Sequence, residues 1–176
     1  PDVFNRGATE WHSMFWDGRL LTAEDGVNFI HPAEFAQDLP SGLDNILAAQ
    51  AMSPVTSRAE MRGDPQDYDV HGTINEVGGT GEYDLAAVWA ALMARLQAIP
   101  QYRTLFDAAY PGVPFEEMGF QYAANALAAF QMDAFTLLDS PWDRYVAGDN
   151  TALSRTAKAG AQLFYGKAGC SECHSG

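Results

Sequence analysis

Cysteine and positive charge are scarce in this chain, and long apolar runs are missing. Its 176 residues include two cysteines, four histidines, and 10 lysines and arginines against 23 acidic residues, for a formal net charge of −13. An acidic excess of that size argues against nucleic acid or an anionic membrane surface as partner, since either would repel it; a small basic protein remains compatible. No stretch approaches the roughly 18 to 20 apolar residues of a membrane span, and no signal peptide is visible. His12, His31 and His71 are scattered, whereas a zinc site would need a second Cys or His pair at ligand spacing. No strand-type alternation persists along the chain. The first residue is Pro1 rather than Met, which reads as a processed product or a piece of a longer chain.

What is present suffices for a packed core, with 47% hydrophobic and 12% aromatic residues. The first 80 residues are rich in Gly, Pro, Asp and Asn, with only short helical patches such as Leu43 to Met52. Residues 71–84, HGTINEVGGTGEYD, read as a flexible loop. Beyond it Leu85, Val88, Leu92, Leu96 and Ile99 recur at helical spacing up to Pro100, and Tyr102, Leu105 and Phe106 suit a short helix closed by YPGVP. Phe120 to Leu138 forms a long alanine-rich helical pattern with Leu127, Phe130, Phe135 and Leu138 as its large apolar positions. DSPWDRYVAGD, residues 139–149, predicts a turn-rich connector, and Leu153 to Tyr165 predicts a last helix. The expected fold class is all-α with long loops.

That last helix runs into Cys170-Ser171-Glu172-Cys173-His174. In C-x-x-C-H spacing the two thiols can add across the two vinyl groups of a haem, and the histidine after the second thiol lies under the iron as its proximal ligand. Cys170, Cys173 and His174 are therefore the expected haem c attachment site, with His174 as iron ligand. Covalent haem attachment normally belongs outside the cytoplasm, so the expected location is the periplasm.

The segment ALSRTAKAGAQLFYGKAGCSECHSG resembles the start of a cytochrome c domain: a helix with a Gly and an aromatic on its packed side, then the attachment loop. Preceded by SPWDRYVAGD, it resembles more specifically the opening of the second haem domain in the bacterial di-haem cytochrome c peroxidase family, which includes the MauG-type enzymes. MFWDGR at 14–19, AAQAMSPVTSRAEM at 48–61 and RLQAIPQYRTLFDAAYP at 95–111 resemble further blocks of the same family. The resemblance implies that residues 1–138 are the remainder of a first, peroxidatic haem domain without its attachment motif. It makes 139–150 an interdomain connector and 151–176 the start of a second cytochrome c domain. Two haems c are implied for the whole protein, one of them attached here, with calcium between the domains held by residues outside this chain.

The resemblance also assigns residues. Glu60, ten residues after Gln50, takes the position of the proton-moving carboxylate that lines the peroxide pocket, and Gln50 that of its hydrogen-bonding partner; such a base takes a proton from the near peroxide oxygen and returns it to the far one. Read without the resemblance, Glu60 is a solvated acid in a capping box led by Ser57, and Gln50 an exposed helical glutamine. Trp16 takes the place of the tryptophan between the two haems, where it assists electron transfer; the bland alternative is a core or domain-interface residue. Asp17 and Arg19 form a local ion pair or contact haem propionates, and Pro54 shapes the pocket wall by fixing its backbone. The chain departs from the better-known peroxidases in the 33 residues between Trp16 and Gln50, which act as an insertion and bear on the shape of the pocket. His31 lies inside it, and a lone loop histidine is more often a surface residue than a ligand.

The function this implies is reduction of hydrogen peroxide to water with electrons from a small periplasmic donor, a cytochrome c or a cupredoxin, by a protein that can form a homodimer. Two alternatives stand beside it. One is a MauG-like enzyme that oxidises residues of a partner protein, and the other a multi-haem electron carrier without peroxidase turnover. A methionine as sixth ligand beyond Gly176 would favour the peroxidase, and a tyrosine the MauG-like enzyme.

Overall fold

The computed structural model describes residues 3–8, 11–23, 29–30 and 39–174. Among them the protein is mostly helical, with six α-helices: α1 Ile46–Ala51, α2 Leu85–Gln97, α3 Pro100–Ala109, α4 Phe120–Phe135, α5 Pro141–Val146 and α6 Arg155–Phe164.

The core is built where small residues let helices approach. Helix α1 starts at Asn45, whose side chain accepts from the Ala48 N–H at 3.1 Å, and all six of its residues are buried. It packs against α4 through the buried Ala123, Ala124 and Ala128. Asn125 fixes the arrangement from within α4: its amide nitrogen donates to the Gly42 carbonyl at 2.8 Å and its oxygen accepts from the Asp44 N–H at 3.0 Å. Helix α2 is capped by Asp84, which accepts from the Ala87 N–H, and it buries Leu85, Val88, Trp89 and Met93. The Trp89 indole donates to the Met52 carbonyl at 2.9 Å, tying α2 to the end of α1. Pro100 opens α3 as a first-turn residue, which also explains why α2 stops just before it.

Three features correct the sequence expectations. The chain is not purely α: β1 Ser13–Met14, β2 Leu20–Thr22 and β3 Phe29–Ile30 form an antiparallel sheet in that order, with Met14 opposite Leu20 and Leu21 opposite Ile30. Strands of two or three residues are too short to leave a period-two pattern in the sequence. The glycine-rich segment 71–84 has no regular structure, as its composition predicts, but it is not a free loop. Arg62, only 2% exposed, donates to the carbonyls of Thr80, Gly81 and Glu82 and to the Thr80 hydroxyl. The backbone of the segment thus gets its donors from a side chain well upstream, which composition cannot reveal.

The third correction is the connector, which contains α5. Ser140 and Asp143 make a reciprocal capping box with Pro141 in the first turn, a start signal present in the letters S-P-W-D. Helix α4 ends at Phe135, short of Leu138, where Asn5 takes over: its N–H donates to the Phe135 carbonyl and its side-chain oxygen accepts from the Leu137 N–H. Helices α5 and α6 bury no residue, and their aromatics associate with one another, Trp142 stacking on Tyr165 at 5.4 Å between ring centres.

Candidate functional site

Between α1, α2, α3 and α4 lies a largely apolar cavity of about 630 Å³. Leu92 and Leu96 of α2, Tyr102 and Phe106 of α3 and Phe120 and Leu127 of α4 form its walls, and its polar lining comes from Gln50, Arg95 and Gln131. Gln50 is buried in the last turn of α1. Pro54 opens a single 3₁₀ turn, Pro54–Thr56, and its ring-fixed backbone carries the chain along the cavity wall.

The next turn, Arg58–Arg62, is π-helical. The Ser57 carbonyl accepts from three consecutive N–H groups, those of Glu60, Met61 and Arg62, at 3.2, 3.1 and 3.0 Å. So wide a turn is unusual and tends to occur at functional sites. The Ser57 side chain caps nothing, so the capping box that would have made Glu60 a purely local residue does not form. Met61 lines the cavity; Glu60, beside it, is solvent-exposed, and its carboxylate is not part of the wall.

Two arginines anchor this turn. Arg58 bonds to Glu82 at 2.7 Å and to the carbonyls of Gly63 and Gly78, while Arg62 holds 80–82 as described above. The turn is closed by Gly63 at φ 73°, where a side chain would also lie 3.0 Å from both Asn75 Nδ2 and Asp67 Oδ2. At the rim, Arg95 donates to Glu76 at 2.6 and 2.9 Å and to Asn75 at 2.8 Å. The hydrogen bond from Arg95 holds the Glu76 carboxyl below its ordinary value, and the same contact pushes the Arg95 guanidinium up.

Gln50, Pro54 and Met61 are thus brought to one cavity, but Trp16 is not. It sits at the tip of the β1–β2 hairpin and is 92% exposed, beside Phe15 and Gly18, which both adopt positive φ. Asp17 and Arg19 make the local ion pair at 3.3 Å, and the Arg19 guanidinium lies 4.7 Å from the centre of the Phe15 ring. His31 falls outside the described residues. Sequence reasoning missed Arg95, Arg58 and Arg62, whose partners are remote in the chain. It also missed Gln131, whose signal was a polar residue on the face of α4 that carries Phe120, Ala123 and Leu127.

The second cluster lies at 170–174. Gly169, in the left-handed conformation, turns the chain into a 3₁₀ turn over Cys170–Glu172. The Cys170 carbonyl accepts from the N–H groups of Cys173 and His174 at 3.3 and 3.0 Å, so both thiols and the imidazole project from one turn. Both cysteines are free and exposed, and the His174 ring lies 6.4 Å from that of Phe164. Two accessible thiols and an adjacent imidazole fit covalent attachment of a haem, and Cys170, Cys173 and His174 are the residues that would hold it.

Comparison with known proteins identifies the family. The family model described as di-haem cytochrome c peroxidase matches residues 1–151. The chain is 31% identical, over an alignment 178 positions long that covers 99% of its length, to the methylamine utilization protein MauG of Methylophilus methylotrophus. It is 28% identical over 166 residues, 93% of its length, to the cytochrome c551 peroxidase of Pseudomonas aeruginosa. A stretch of 86 residues is 42% identical to the MauG protein of Methylorubrum extorquens. The chain spans 37%, 33% and 23% of the lengths of these three relatives.

Proposed function

We propose, from the premise that this chain belongs to the di-haem cytochrome c peroxidase family, that it contributes the peroxide-facing side of one haem domain and the haem-attachment turn of the next to an enzyme that reduces hydrogen peroxide to water. Residues 1–138 belong to the first domain, 139–150 to the connector and 151–176 to the second. The observation that carries the proposal is the apolar cavity of about 630 Å³ with Gln50, Pro54 and Met61 on its wall and the π-helical turn bearing Glu60 at its edge.

Haem c, implied by the family, supplies when bound the iron at which the O–O bond is cleaved and the electrons that cleave it. The chain's own residues do the rest. The apolar walls restrict water, so hydrogen bonds formed inside are stronger than in solution. Gln50 orients peroxide through its side-chain amide. Glu60, at the cavity edge, turns its exposed carboxylate from solvent toward the peroxide, takes a proton from one oxygen and delivers it to the other, so that the departing oxygen leaves as water. With two further protons and two electrons the balance is one peroxide in and two waters out. Trp16, on the outer end of its hairpin, serves electron transfer between the two haem sites, and Cys170, Cys173 and His174 hold the second. Electrons come from a small periplasmic donor, and the acidic surface of this chain favours a basic one. No helix of the described residues is long and apolar enough to cross a membrane.

Glu60→Gln in the full-length, haem-loaded protein tests the proposal. It keeps the shape and removes the base, so peroxide turnover falls about 10² to 10⁴-fold while the haem absorption spectra stay the same. Unchanged turnover would return Glu60 to a solvated side chain, whereas a wild type that turns over no peroxide would be an electron carrier without peroxidase activity. A MauG-like oxidation of a partner protein is the second reading, favoured by the alignment with a MauG protein over 99% of the chain. It predicts that the full-length protein with peroxide oxidises residues of an added partner while turning over a small donor poorly.

A further inference from the structure

Residues 67–75 form a small hairpin whose polarity is inverted. Tyr68 and Ile74 pair as an isolated antiparallel bridge, flanked by hydrogen bonds from the Asp69 N–H to the Thr73 carbonyl at 2.8 Å and from the Asn75 N–H to the Asp67 carbonyl at 2.7 Å. Successive side chains along such a pair point to opposite faces. The polar face is the one tied to the protein: the Asn75 side chain donates to the Arg62 carbonyl and accepts from Arg95, both at 2.8 Å. The other face carries Tyr68 and Ile74, 71% and 57% exposed, and Val70, in the turn between them, is 94% exposed. Single apolar residues on a surface need no explanation, but several together with polar groups around them mark an interaction surface. The hairpin is also held in shape. Asp69 Oδ1 accepts from the N–H groups of His71 and Thr73, each at 2.8 Å, and closes the turn. At its base Val77 is buried, Arg95 holds Glu76, and a side chain at Gly78 would collide with the Asp64 carbonyl. A preformed tip loses little conformational freedom on binding. Around it, residues 64–84 carry six carboxylates and neither lysine nor arginine.

We propose that this hairpin is a docking surface for a basic protein, with Tyr68, Val70 and Ile74 meeting an apolar patch on the partner and the surrounding carboxylates meeting its lysines and arginines. Charge selects the occupant. A second copy of this chain, at −13, would bring the same sign of charge to the contact, whereas a basic protein is drawn in. Arg95 lines the cavity and bonds to Glu76 and Asn75 at the base of the hairpin, so a protein docked there sits beside the cavity. That the docked protein gives electrons to the enzyme rests on the function proposed above; the docking itself does not.

The test uses the full-length, haem-loaded protein and, as probe, a small basic cytochrome c, alongside the same cytochrome with its lysines acetylated. Calorimetry in the absence of peroxide gives the dissociation constant, and the melting temperature and the rate of reaction with peroxide without cytochrome are the controls. The cytochrome should bind the wild type, more weakly as salt is raised, and acetylation should weaken binding about tenfold or more. Val70→Lys, which sets a like charge against the partner, should raise the dissociation constant about tenfold, and Tyr68→Ser about fivefold. Both variants should melt at the wild-type temperature, because these side chains are exposed, and react with peroxide at the wild-type rate, because neither lines the cavity. A cytochrome that does not bind the wild type, or that binds Val70→Lys or binds after acetylation as tightly as before, would overturn the proposal. So would a Val70→Lys protein that melts several degrees lower, since the rest of the full-length protein would then cover the hairpin. A wild-type dimer that Val70→Lys breaks would overturn it as well, since the occupant would then be a second copy. Should the wild type show no reaction with peroxide, the proposed function fails, and the dissociation constants still decide the docking.

Discussion

Trp16 keeps 92% of its surface exposed at the tip of a five-residue hairpin turn, a costly place for the largest apolar side chain. Within this chain it has little packing to lose, which makes the bridging role separable from a stability role. Trp16→Phe in the full-length enzyme should leave the first phase of the reaction with peroxide at its wild-type rate, since Gln50, Glu60 and the cavity are untouched, and slow the phase in which electrons arrive from the second haem site. Stopped-flow absorbance resolves the two phases. A thermal melt supplies the control: a drop of roughly 1 to 3 kcal/mol in stability would mark the indole as buried packing against the rest of the protein, and wild-type rates in both phases with a normal melt would end the electron-transfer role. Glu60 differs from Trp16 in its placement. Its turn is fixed by Arg58 and Arg62, so its position is set by groups about 20 residues further along the chain rather than by a local cap.

Segment 64–84 holds no helix and only one isolated bridge, between Tyr68 and Ile74, and it relies on charge. Arg58 with Glu82, and Arg95 with Glu76, hold its second half. Both carboxyls lie below the usual 4.5, Glu76 chiefly through its hydrogen bond from Arg95 and Glu82 chiefly through that from Arg58. A carboxyl with a lowered value in the folded state takes up its proton first in the unfolded chain as pH falls. The stabilisation is therefore present above about 4.5 and is lost as pH falls through the lower folded value. Glu76→Gln should melt slightly below the wild type at pH 7, by about 1 kcal/mol or less because the pair is solvent-exposed, and the two melting curves should converge below pH 4.5. Thermal melts of both proteins across pH 3 to 7 check this; a gap that widens toward low pH would show that the ion pair is not what Glu76 contributes.

At the scale of the whole molecule, the proposed function divides its chemistry between two places that are distant in sequence: a cavity walled by residues 50–131 and a Cys-Ser-Glu-Cys-His turn at 170–174. The division predicts independent failure. Expressed as the full-length protein with a cytochrome c maturation system, the wild type should keep haem through acid-acetone extraction, because thioether bonds are covalent. Cys173→Ala should weaken or abolish retention at the second site while leaving the first haem in place. A Cys170→Ala, Cys173→Ala double variant that still carried a normally matured second haem would show that this turn is not the attachment site.

The sequence by itself determined what depends on near neighbours. The C-x-x-C-H turn is legible because three side chains one helical turn apart need no other part of the chain. The period of α2 and α4 is legible because each helix repeats its apolar face every three or four residues, and the capping letters of α5 were there to be read. Gln50, Glu60 and Trp16 could be singled out only through the resemblance, since a lone glutamine, acid or indole has no local signature of its role. Tertiary structure alone decided the three-stranded sheet, whose strands are too short to show a period, and the ordering of 71–84 by Arg62. It also decided that Gln131 lines the cavity while its buried side-chain oxygen finds no partner among the described residues, and that Asn125 spends both halves of its amide on residues more than 80 positions earlier. Whether a buried polar group finds a partner is settled only when distant segments meet, because a hydrogen bond is a condition on distance and angle in space.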